Sequence, residues 1–330
     1  MGNEPVKSVR VLTPSGMLGA GWDHATIERG IALGADVISI DGGSTDSGPH
    51  YLGSATAKTT AKAVARDLRS LFTAAADAGI PVIVGSCGTS GTDRGVDWVA
   101  GIAAEVMAEE GLDLPVAKIY SEQNPADLKE HLNAGRVHPL PPLGELRAET
   151  LESCTHIVGA MGHEPIVAAL RAGAQVVLAG RATDTAVAAA YPLMMGMPAG
   201  PTWHAAKIVE CGGQCTTNPR GEYAFDLRLY GHNAVLDDLE PESGPPREVG
   251  VMLLVNAPDQ ATATAVAKVA NPLMLHLPAP GMDYLPSFAF ASSPAEVERG
   301  AAYEFVLNHV VDCDDPLSLF RIELGENTRA

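Results

Sequence analysis

The segment from Asp41 to His50 contains the densest group of chemically active side chains in the sequence. Three glycines lie among them and let the backbone turn tightly and approach a ligand. A carboxylate and an imidazole in such a loop can act as general base and general acid, and with Glu122 they can hold a divalent metal ion. The alternative is a long turn in which Asp46 and Ser47 cap the backbone. The candidates are Asp41, Asp46 and His50 for proton transfer, and Ser44 and Thr45 for substrate binding.

Two further acid–base candidates follow other apolar segments. Glu122 comes directly after Val116–Ser121, and a carboxylate at the end of a strand is a candidate base, although it can also be a solvated residue or a cap. His163 precedes Glu164-Pro165, a pattern typical of a helix start. The predicted catalytic residues are therefore Asp41, Asp46, His50, Glu122 and His163.

Arg181 is the candidate anion-binding residue, because a guanidinium can bind a carboxylate or phosphate through two hydrogen bonds. The alternative is an ion pair with Asp184, which can itself be a helix cap. As a thiolate, Cys87 can be a nucleophile, although a buried and inert cysteine is the commoner case. The predicted binding residues are Ser15, Gly16, Ser44, Thr45, Ser86, Cys87, Arg181, Thr183 and Asp184.

The glycine-rich segment Ser15–Gly21 has the spacing Gly-x-x-Gly-x-Gly, which differs from the dinucleotide fingerprint. No Gly-Lys-Ser/Thr phosphate loop occurs in the sequence, and a nicotinamide-dependent oxidoreductase is disfavoured. Backbone amides here can still cradle an anion, or the segment is a plain turn. Cys211 and Cys215 have poor zinc-ligand spacing. The sequence therefore leaves both the cofactor and any metal open.

Short β-branched segments alternate with amphipathic ones over the first 200 residues, which indicates a mainly parallel sheet covered on both faces. We predict a doubly wound, Rossmann-like α/β domain over residues 1–216 and a smaller α+β domain over residues 217–330. The predicted strands are Val9–Thr13, Asp36–Asp41, Pro81–Gly85, Val116–Ser121, His156–Gly159, Gln175–Gly180, Tyr223–Tyr230, Glu248–Asn256, Ser287–Ala291 and Tyr303–Val311. The predicted helices are Lys58–Ala78, Val96–Glu110, Pro125–Ala134, Pro165–Ala172, Thr183–Leu193, Trp203–Glu210 and Gln260–Val269, the last of them ended by Asn271-Pro272.

Nearly every predicted strand of the first domain ends in a polar or glycine-rich loop. Ligands of open parallel sheets bind at the carboxyl ends of the strands. We therefore expect the loops that carry Asp46, Glu122 and Arg181 to meet at one crevice.

The charge and cysteine content narrow the classes of partner. There are 22 Lys and Arg against 40 Asp and Glu, a net charge of −18. This balance disfavours binding to nucleic acid or to an anionic membrane surface. The five cysteines form no C-x-x-C pair, and the sequence has neither a signal-peptide pattern nor an apolar run of membrane-spanning length. We expect a cytoplasmic protein with reduced thiols.

The sequence contains a set of short motifs, which are Asp41-Gly-Gly-Ser-Thr-Asp-Ser-Gly-Pro-His-Tyr-Leu-Gly53, Gly85-Ser-Cys-Gly-Thr-Ser-Gly91, Ile119-Tyr-Ser-Glu-Gln123, Ala179-Gly-Arg-Ala-Thr-Asp-Thr185, Glu210-Cys-Gly212, Leu229-Tyr-Gly231, Glu248-Val-Gly250 and Tyr303-Glu-Phe305. Together these motifs resemble the acyclic terpene utilisation (AtuA-like) family, a family of unknown function. Between Glu210-Cys-Gly212 and Leu229-Tyr-Gly231 the chain is shorter than the family pattern.

The resemblance implies a metabolic setting in which terpene intermediates are carried as coenzyme A esters, and it assigns no catalytic residue. The leading hypothesis is a catabolic enzyme, a hydrolase or lyase, that acts on a small acid or acyl thioester. The alternative is a non-catalytic acyl-ligand-binding module, or a subunit that needs a partner protein. A homo-oligomer is compatible with either.

Overall fold

The computed structural model of the protein describes residues 8–210, 255–276, 294 and 296–325. A six-stranded sheet and a two-stranded sheet lie in these ranges. The strands are β1 (Val11–Leu12), β2 (Val37–Asp41), β3 (Val82–Gly85), β4 (Val116–Tyr120), β5 (Val137–Pro139), β6 (Val176–Ala179), β7 (His309–Val311) and β8 (Arg321–Leu324).

Helices connect most of these strands. They are α1 (His24–Ala32), α2 (His50–Ser54), α3 (Ala61–Ala78), α4 (Asp93–Glu110), α5 (Pro125–Asn133), α6 (Ala148–Ser153), α7 (Glu164–Arg171), α8 (Asp184–Met194), α9 (Ala199–Val209) and α10 (Gln260–His276), with 3-10 turns at Thr45–Ser47 and Pro316–Leu319. No helix in the described ranges combines the length and apolar character needed to cross a bilayer.

The main sheet has the order β1-β2-β3-β6-β4-β8 and confirms the predicted α/β class. Every neighbouring pair is parallel except β4 and β8, which pair antiparallel. β6 inserts between β3 and β4, so the chain reverses its direction across the sheet after β4. β5 and β7 form the separate antiparallel pair.

The sheet is buried on both faces, as the apolar strands predict. Ile38, Val84 and Leu178 pack against α1, α3 and α4, whereas the alternate residues Ile83 and Val177 pack against α7 and α8. This alternation follows from the period of two in a strand. Each large apolar side chain that becomes fully buried contributes about 1.5–3 kcal/mol.

The ends of the two longest helices beside the sheet follow from their capping residues. Thr60 begins α3 by accepting a hydrogen bond from the backbone N–H of Ala63, and Thr92 begins α4 by accepting from Gly95. Gly79 and Gly111 end these helices with φ of +66° in both cases. A side-chain oxygen at the start and a left-handed glycine at the end are typical helix signals.

The structure corrects several predicted elements, among them the strand over residues 156–159 and the end of the helix α10. Residues 156–159 form no strand, because only Val158 makes an isolated bridge, to Glu122, beyond the end of β4. The predicted stop at Asn271-Pro272 is wrong, since α10 continues to His276. Proline disfavours helix before it but does not always end one.

The chain divides into two compact units, residues 1–222 with 304–330, and residues 223–303. The predicted boundary at residue 216 lies outside the described residues and stays a prediction, although β8, near the end of the chain, lies in the main sheet of the first unit. The predicted strands Tyr223–Tyr230 and Ser287–Ala291, and nearly all of Glu248–Asn256, also lie outside. Of the predicted strand Tyr303–Val311, only β7 forms.

Candidate functional site

The carboxyl ends of β2, β3, β6 and β4 reach the same level of the sheet. Asp41 pairs with Gly85 across β2 and β3, and Ile119 pairs with Ala179 across β4 and β6. The backbone N–H of Cys87 donates to the carbonyl of Ala179 at 3.0 Å, which continues the alignment from β3 to β6. The residues that follow these strands therefore lie along one edge.

Gly91 fixes the loop after β3 against the residue that follows β6. A Cβ at Gly91 would lie 2.1 Å from the backbone nitrogen of Arg181, and Gly91 has φ of +74°. The hydroxyl of Ser121 donates to the Gly91 carbonyl and accepts from the Arg181 N–H, each at 2.7 Å. These contacts tie the ends of β3, β4 and β6 together.

Four polar residues at the ends of β2, β3 and β6 form a group that we call the Asp41 cluster. The Arg181 guanidinium donates to Ser86 Oγ at 3.4 Å and lies 3.8 Å from Asp184 Oδ1. Ser86 is a non-glycine residue with φ of +44°, a strained backbone conformation that aims its hydroxyl at Arg181 and the Ala182 carbonyl. The members are Asp41, Ser86, Arg181 and Asp184.

Asp41 is the buried acid of this cluster, with 6% of its surface exposed. Its Oδ1 atom has no hydrogen-bond partner in the part of the chain that the structure describes. Burial, followed by the negative charge of Asp184, raises the pKa of Asp41 from 3.8 to about 7, against the opposing charge of Arg181. The Asp41 carboxyl can therefore gain or lose a proton near neutral pH.

Cys87 lies behind this edge and is fully buried. Burial, together with the charge of Asp41, raises the pKa of the Cys87 thiol far above its usual range. Its sulfur points to the Val84 carbonyl at 3.8 Å. A thiol that stays protonated in an apolar environment is a poor nucleophile.

Glu122 lies at the end of β4 and contacts a histidine that the sequence analysis placed in a strand. Its Oε1 atom lies 2.5 Å from Nδ1 of His156, and its Oε2 accepts from the Asp93 N–H at 3.0 Å. The Asp93 carboxylate in turn accepts the backbone N–H groups of Ser121 and Glu122. We call Glu122 and His156 the Glu122–His156 pair.

The loop after β2 lies against the loop after β3. Lys58 donates from its backbone N–H to Thr89 Oγ1 and from Nζ to Ser47 Oγ, each at 2.9 Å. Asp46 lies in the 3-10 turn Thr45–Ser47, with Ser44 just before it. His50 begins α2 and is exposed beside Tyr51. Catalytic roles for Asp46 and His50 stay predictions.

His163 and Thr183 lie on the α7–α8 side of the sheet. The His163 ring packs edge-on against Trp203, with 5.6 Å between the ring centroids, and its Nδ1 lies 3.4 Å from Glu164. Thr183 precedes α8 and is exposed. Met161 bridges Ala182, which brings this segment next to the Asp41 cluster through the backbone alone.

The glycine-rich segment after β1 already uses its amides within the protein. Gly19 and Gly21 donate to Oδ2 of the buried Asp67 at 2.8 and 3.1 Å. The N–H groups of residues 17, 18 and 20 donate to Ser15 Oγ and to the carbonyls of Asp41 and Met17. All five N–H groups are therefore hydrogen-bonded within the protein and are not available to bind an anion. The predicted binding roles of Ser15 and Gly16 stay predictions.

The described residues contain no group of three or more His, Cys, Asp or Glu side chains arranged to hold a metal ion. Cys211 and Cys215 lie outside those residues.

His156 is the main residue of this edge that the sequence analysis missed. It begins the apolar run His156-Ile-Val-Gly159, and this run favoured the interpretation as a buried strand. A usable signal is that the histidine stands at the polar start of that run, where a loop reaches the sheet edge.

The sheet, its order and its polar carboxyl edge define an α/β protein whose candidate site contains acidic, basic and imidazole groups. A family model described as acyclic terpene utilisation family protein AtuA matches residues 54–224, more than half of the chain. The chain belongs to this family, which confirms the resemblance seen in the sequence. A search of curated proteins found no significant match.

Proposed function

We propose that the chain is a catabolic enzyme in the utilisation of acyclic terpenes, and that it acts on a small carboxylic acid or an acyl-coenzyme A thioester. The reaction class is hydrolysis or addition–elimination. The family supports the metabolic setting. The observation that carries the proposal is the Asp41 cluster, in which an arginine adjoins an acid that can change its protonation state near neutral pH.

Arg181 is suited to bind the anionic part of the substrate. Its side chain is only 15% exposed, so water screens its charge weakly. A planar guanidinium binds a carboxylate with two parallel hydrogen bonds, and it stabilises an oxyanion that develops during the reaction.

Asp41 is suited to general acid–base catalysis, because such a group works best when its pKa lies near the working pH. A covalent route through Cys87 is disfavoured, since its thiol is buried and protonated. The proposal therefore assigns proton transfer, rather than acyl-enzyme formation at Cys87, to this edge of the sheet.

The test is turnover of a panel of free carboxylic acids and acyl-coenzyme A thioesters with straight and branched chains. We expect Arg181→Ala to lower kcat/KM by about 10²–10³-fold, as removal of one partner of a desolvated charge pair does. Arg171→Ala, at the exposed end of α7, is the matched control and keeps full activity. Equal activity of both variants and the wild type overturns the assignment.

A second candidate function is a subunit that binds the acyl ligand and becomes active only with a partner protein. The space beside Asp41, bordered by Thr13, Ser39, Asp184 and Glu210, is too narrow to admit a sphere the size of a water molecule. Ligand pockets usually hold roughly 300–1,000 Å³. Binding of a thioester without turnover by the chain alone, followed by turnover after a partner is added, favours this candidate.

A further inference from the structure

The Glu122–His156 pair has the geometry of a carboxylate that orients an imidazole. Glu122 Oε1 and His156 Nδ1 are 2.5 Å apart, which places the Nδ1 hydrogen between them. The two side chains are 25% and 27% exposed, so the pair is partly shielded from water yet open on one side. A carboxylate in this position selects the tautomer that carries its hydrogen on Nδ1.

Glu122 is itself held in place. Its second oxygen accepts the N–H of Asp93 at the first turn of α4, where the helix dipole favours a negative charge. The Asp93 carboxylate in turn accepts hydrogen bonds from the backbone N–H groups of Ser121 and Glu122, at 3.2 and 3.1 Å. The guanidinium of Arg321, in β8, lies 3.6 Å from the Asp93 carboxylate and forms an ion pair with it. The Glu122 carboxylate is thus held by the backbone of α4, and Asp93 links that helix to the end of β4.

The other ring nitrogen of His156, Nε2, forms no hydrogen bond with any residue that the structure describes. Nδ1 is occupied by Glu122, so Nε2 carries the free lone pair of the neutral ring. His156 contacts Glu122, which follows Ser121 at the end of β4, and Ser121 accepts a hydrogen bond from the Arg181 backbone N–H. The nitrogen that can accept a proton therefore belongs to the same sheet edge as the Asp41 cluster.

We propose that His156 is a proton-transfer residue of the reaction and that Glu122 is its positioning residue. The proposal rests on the proposed function, since it assigns a step in the same reaction. In thioester hydrolysis, Nε2 takes a proton from the attacking water as the new C–O bond forms at the carbonyl carbon. The imidazolium then returns that proton to the sulfur as the C–S bond breaks, which leaves a carboxylic acid, a thiol and a neutral histidine.

The chain offers a matched control for this pair. His138 and Asp312 form a second carboxylate–histidine contact, at 2.7 Å, on the separate two-stranded sheet. Their side chains are 53% and 60% exposed. Within the described ranges, the Asp312 carboxylate accepts no further hydrogen bond. Substitutions here change the same chemistry at a surface where we assign no function.

The first experiment reads the tautomer directly from the imidazole nitrogen-15 shifts of the full chain. We expect neutral His156 to carry its hydrogen on Nδ1, and we expect this preference to be lost in Glu122→Ala. Asp312→Ala leaves the His156 signals unchanged. A His156 ring with its hydrogen on Nε2 in the wild type overturns the proposal.

The second experiment measures turnover. We expect His156→Gln, whose amide can still donate to Glu122, to lower kcat by about 10²-fold or more with KM changed little. His138→Gln keeps wild-type kcat. Full activity of His156→Gln together with loss of activity in Arg181→Ala overturns the role of His156 and leaves the proposed function standing. No turnover by the wild type overturns the proposed function, and the role of His156 falls with it.

Discussion

The two halves of the sheet edge, the Asp41 cluster and the Glu122–His156 pair, place their carboxyl groups in different environments. In the Asp41 cluster, the acid is buried, one oxygen has no partner in the described residues, and the pKa is raised to about 7. In the Glu122–His156 pair, the acid keeps a quarter of its surface and hydrogen-bonds through both oxygens. Burial changes protonation in the first half, and hydrogen bonding fixes geometry in the second.

This difference shows which half limits stability. A buried acid without enough partners destabilises the folded state whenever it is ionised. The Glu122–His156 pair is hydrogen-bonded and partly hydrated, so its charge destabilises the folded state little. We therefore expect substitutions in the Asp41 half to change the free energy of unfolding more than those around β4.

The largest effect is expected for Asp41→Asn, and it depends on pH. Between pH 3.8 and about 7, Asp41 therefore keeps its proton in the folded chain, whereas it has lost that proton in the unfolded chain. Stability from this group is present below that window and is lost as the pH rises through it. A rise of this size in the pKa corresponds to a change of up to about 4 kcal/mol in the free energy of unfolding.

Above pH 8 the Asp41→Asn variant is therefore more stable than the wild type, and near pH 4 the two are equal. Urea unfolding at a series of pH values measures this difference. Asp77→Asn, an exposed substitution on α3, is the control and shows no such change. A pH-independent effect of Asp41→Asn contradicts the comparison.

Gly91→Ala tests the backbone contact that supports the same half. The new Cβ would lie 2.1 Å from the Arg181 nitrogen and 2.4 Å from its Cα, and the residue has φ of +74°. We expect a loss of about 3 kcal/mol in the free energy of unfolding, from strain and overpacking together. Gly101→Ala, with open space around it in α4, is the control and is stabilising by roughly 0.5–1 kcal/mol.

Ser121→Ala tests the residue that joins the two halves. It removes the hydroxyl that bonds the Gly91 carbonyl and the Arg181 N–H at a fully buried position. We expect thermal and urea unfolding to show a loss of about 2 kcal/mol. Ser153→Ala, on the exposed side of α6, stays within roughly 0.5 kcal/mol of the wild type. An equally small effect at Ser121 means that the halves are not coupled through this hydroxyl.

Tyr120→Phe should have the smallest effect, because the Tyr120 hydroxyl donates to the carboxylate of Asp97, whose side chain is exposed. The substitution removes the hydroxyl that donates to Asp97 at 2.6 Å but keeps the ring under Arg321, 3.8 Å from its centroid. We expect a loss of about 1 kcal/mol in urea unfolding. A double-mutant cycle with Asp97→Ala isolates this bond, and a coupling energy near zero would show that the hydroxyl adds nothing.

The strands of the parallel core could be predicted from the sequence, because each is a short apolar run between helix signals. Lys58–Ala78 and Gln175–Gly180 were predicted within a few residues of α3 and β6. β8 was not predicted, since it is a four-residue strand whose pairing with β4 lies about 200 residues away in sequence. Local pattern carries no information on such pairing.

The candidate site was predictable only in part. Strand ends identified Asp41, Glu122 and Arg181, because polar residues after apolar strands lie at one edge of a parallel sheet. The pairing of Glu122 with His156 depends on how the chain returns after α6, and it could not be deduced from spacing. Burial of Cys87 likewise depends on packing by α4 and β6 rather than on its neighbours in sequence.

The carboxylate of Asp67 occupies the amides of the glycine-rich segment after β1, so it would compete with any anion that binds there. Asp67 is tethered beside the amides of Gly19 and Gly21, and a tethered group acts at a high effective concentration. Free phosphate or a nucleotide would have to displace it to settle there. Phosphate mimics directed at residues 17–21 should therefore gain no affinity from these amides.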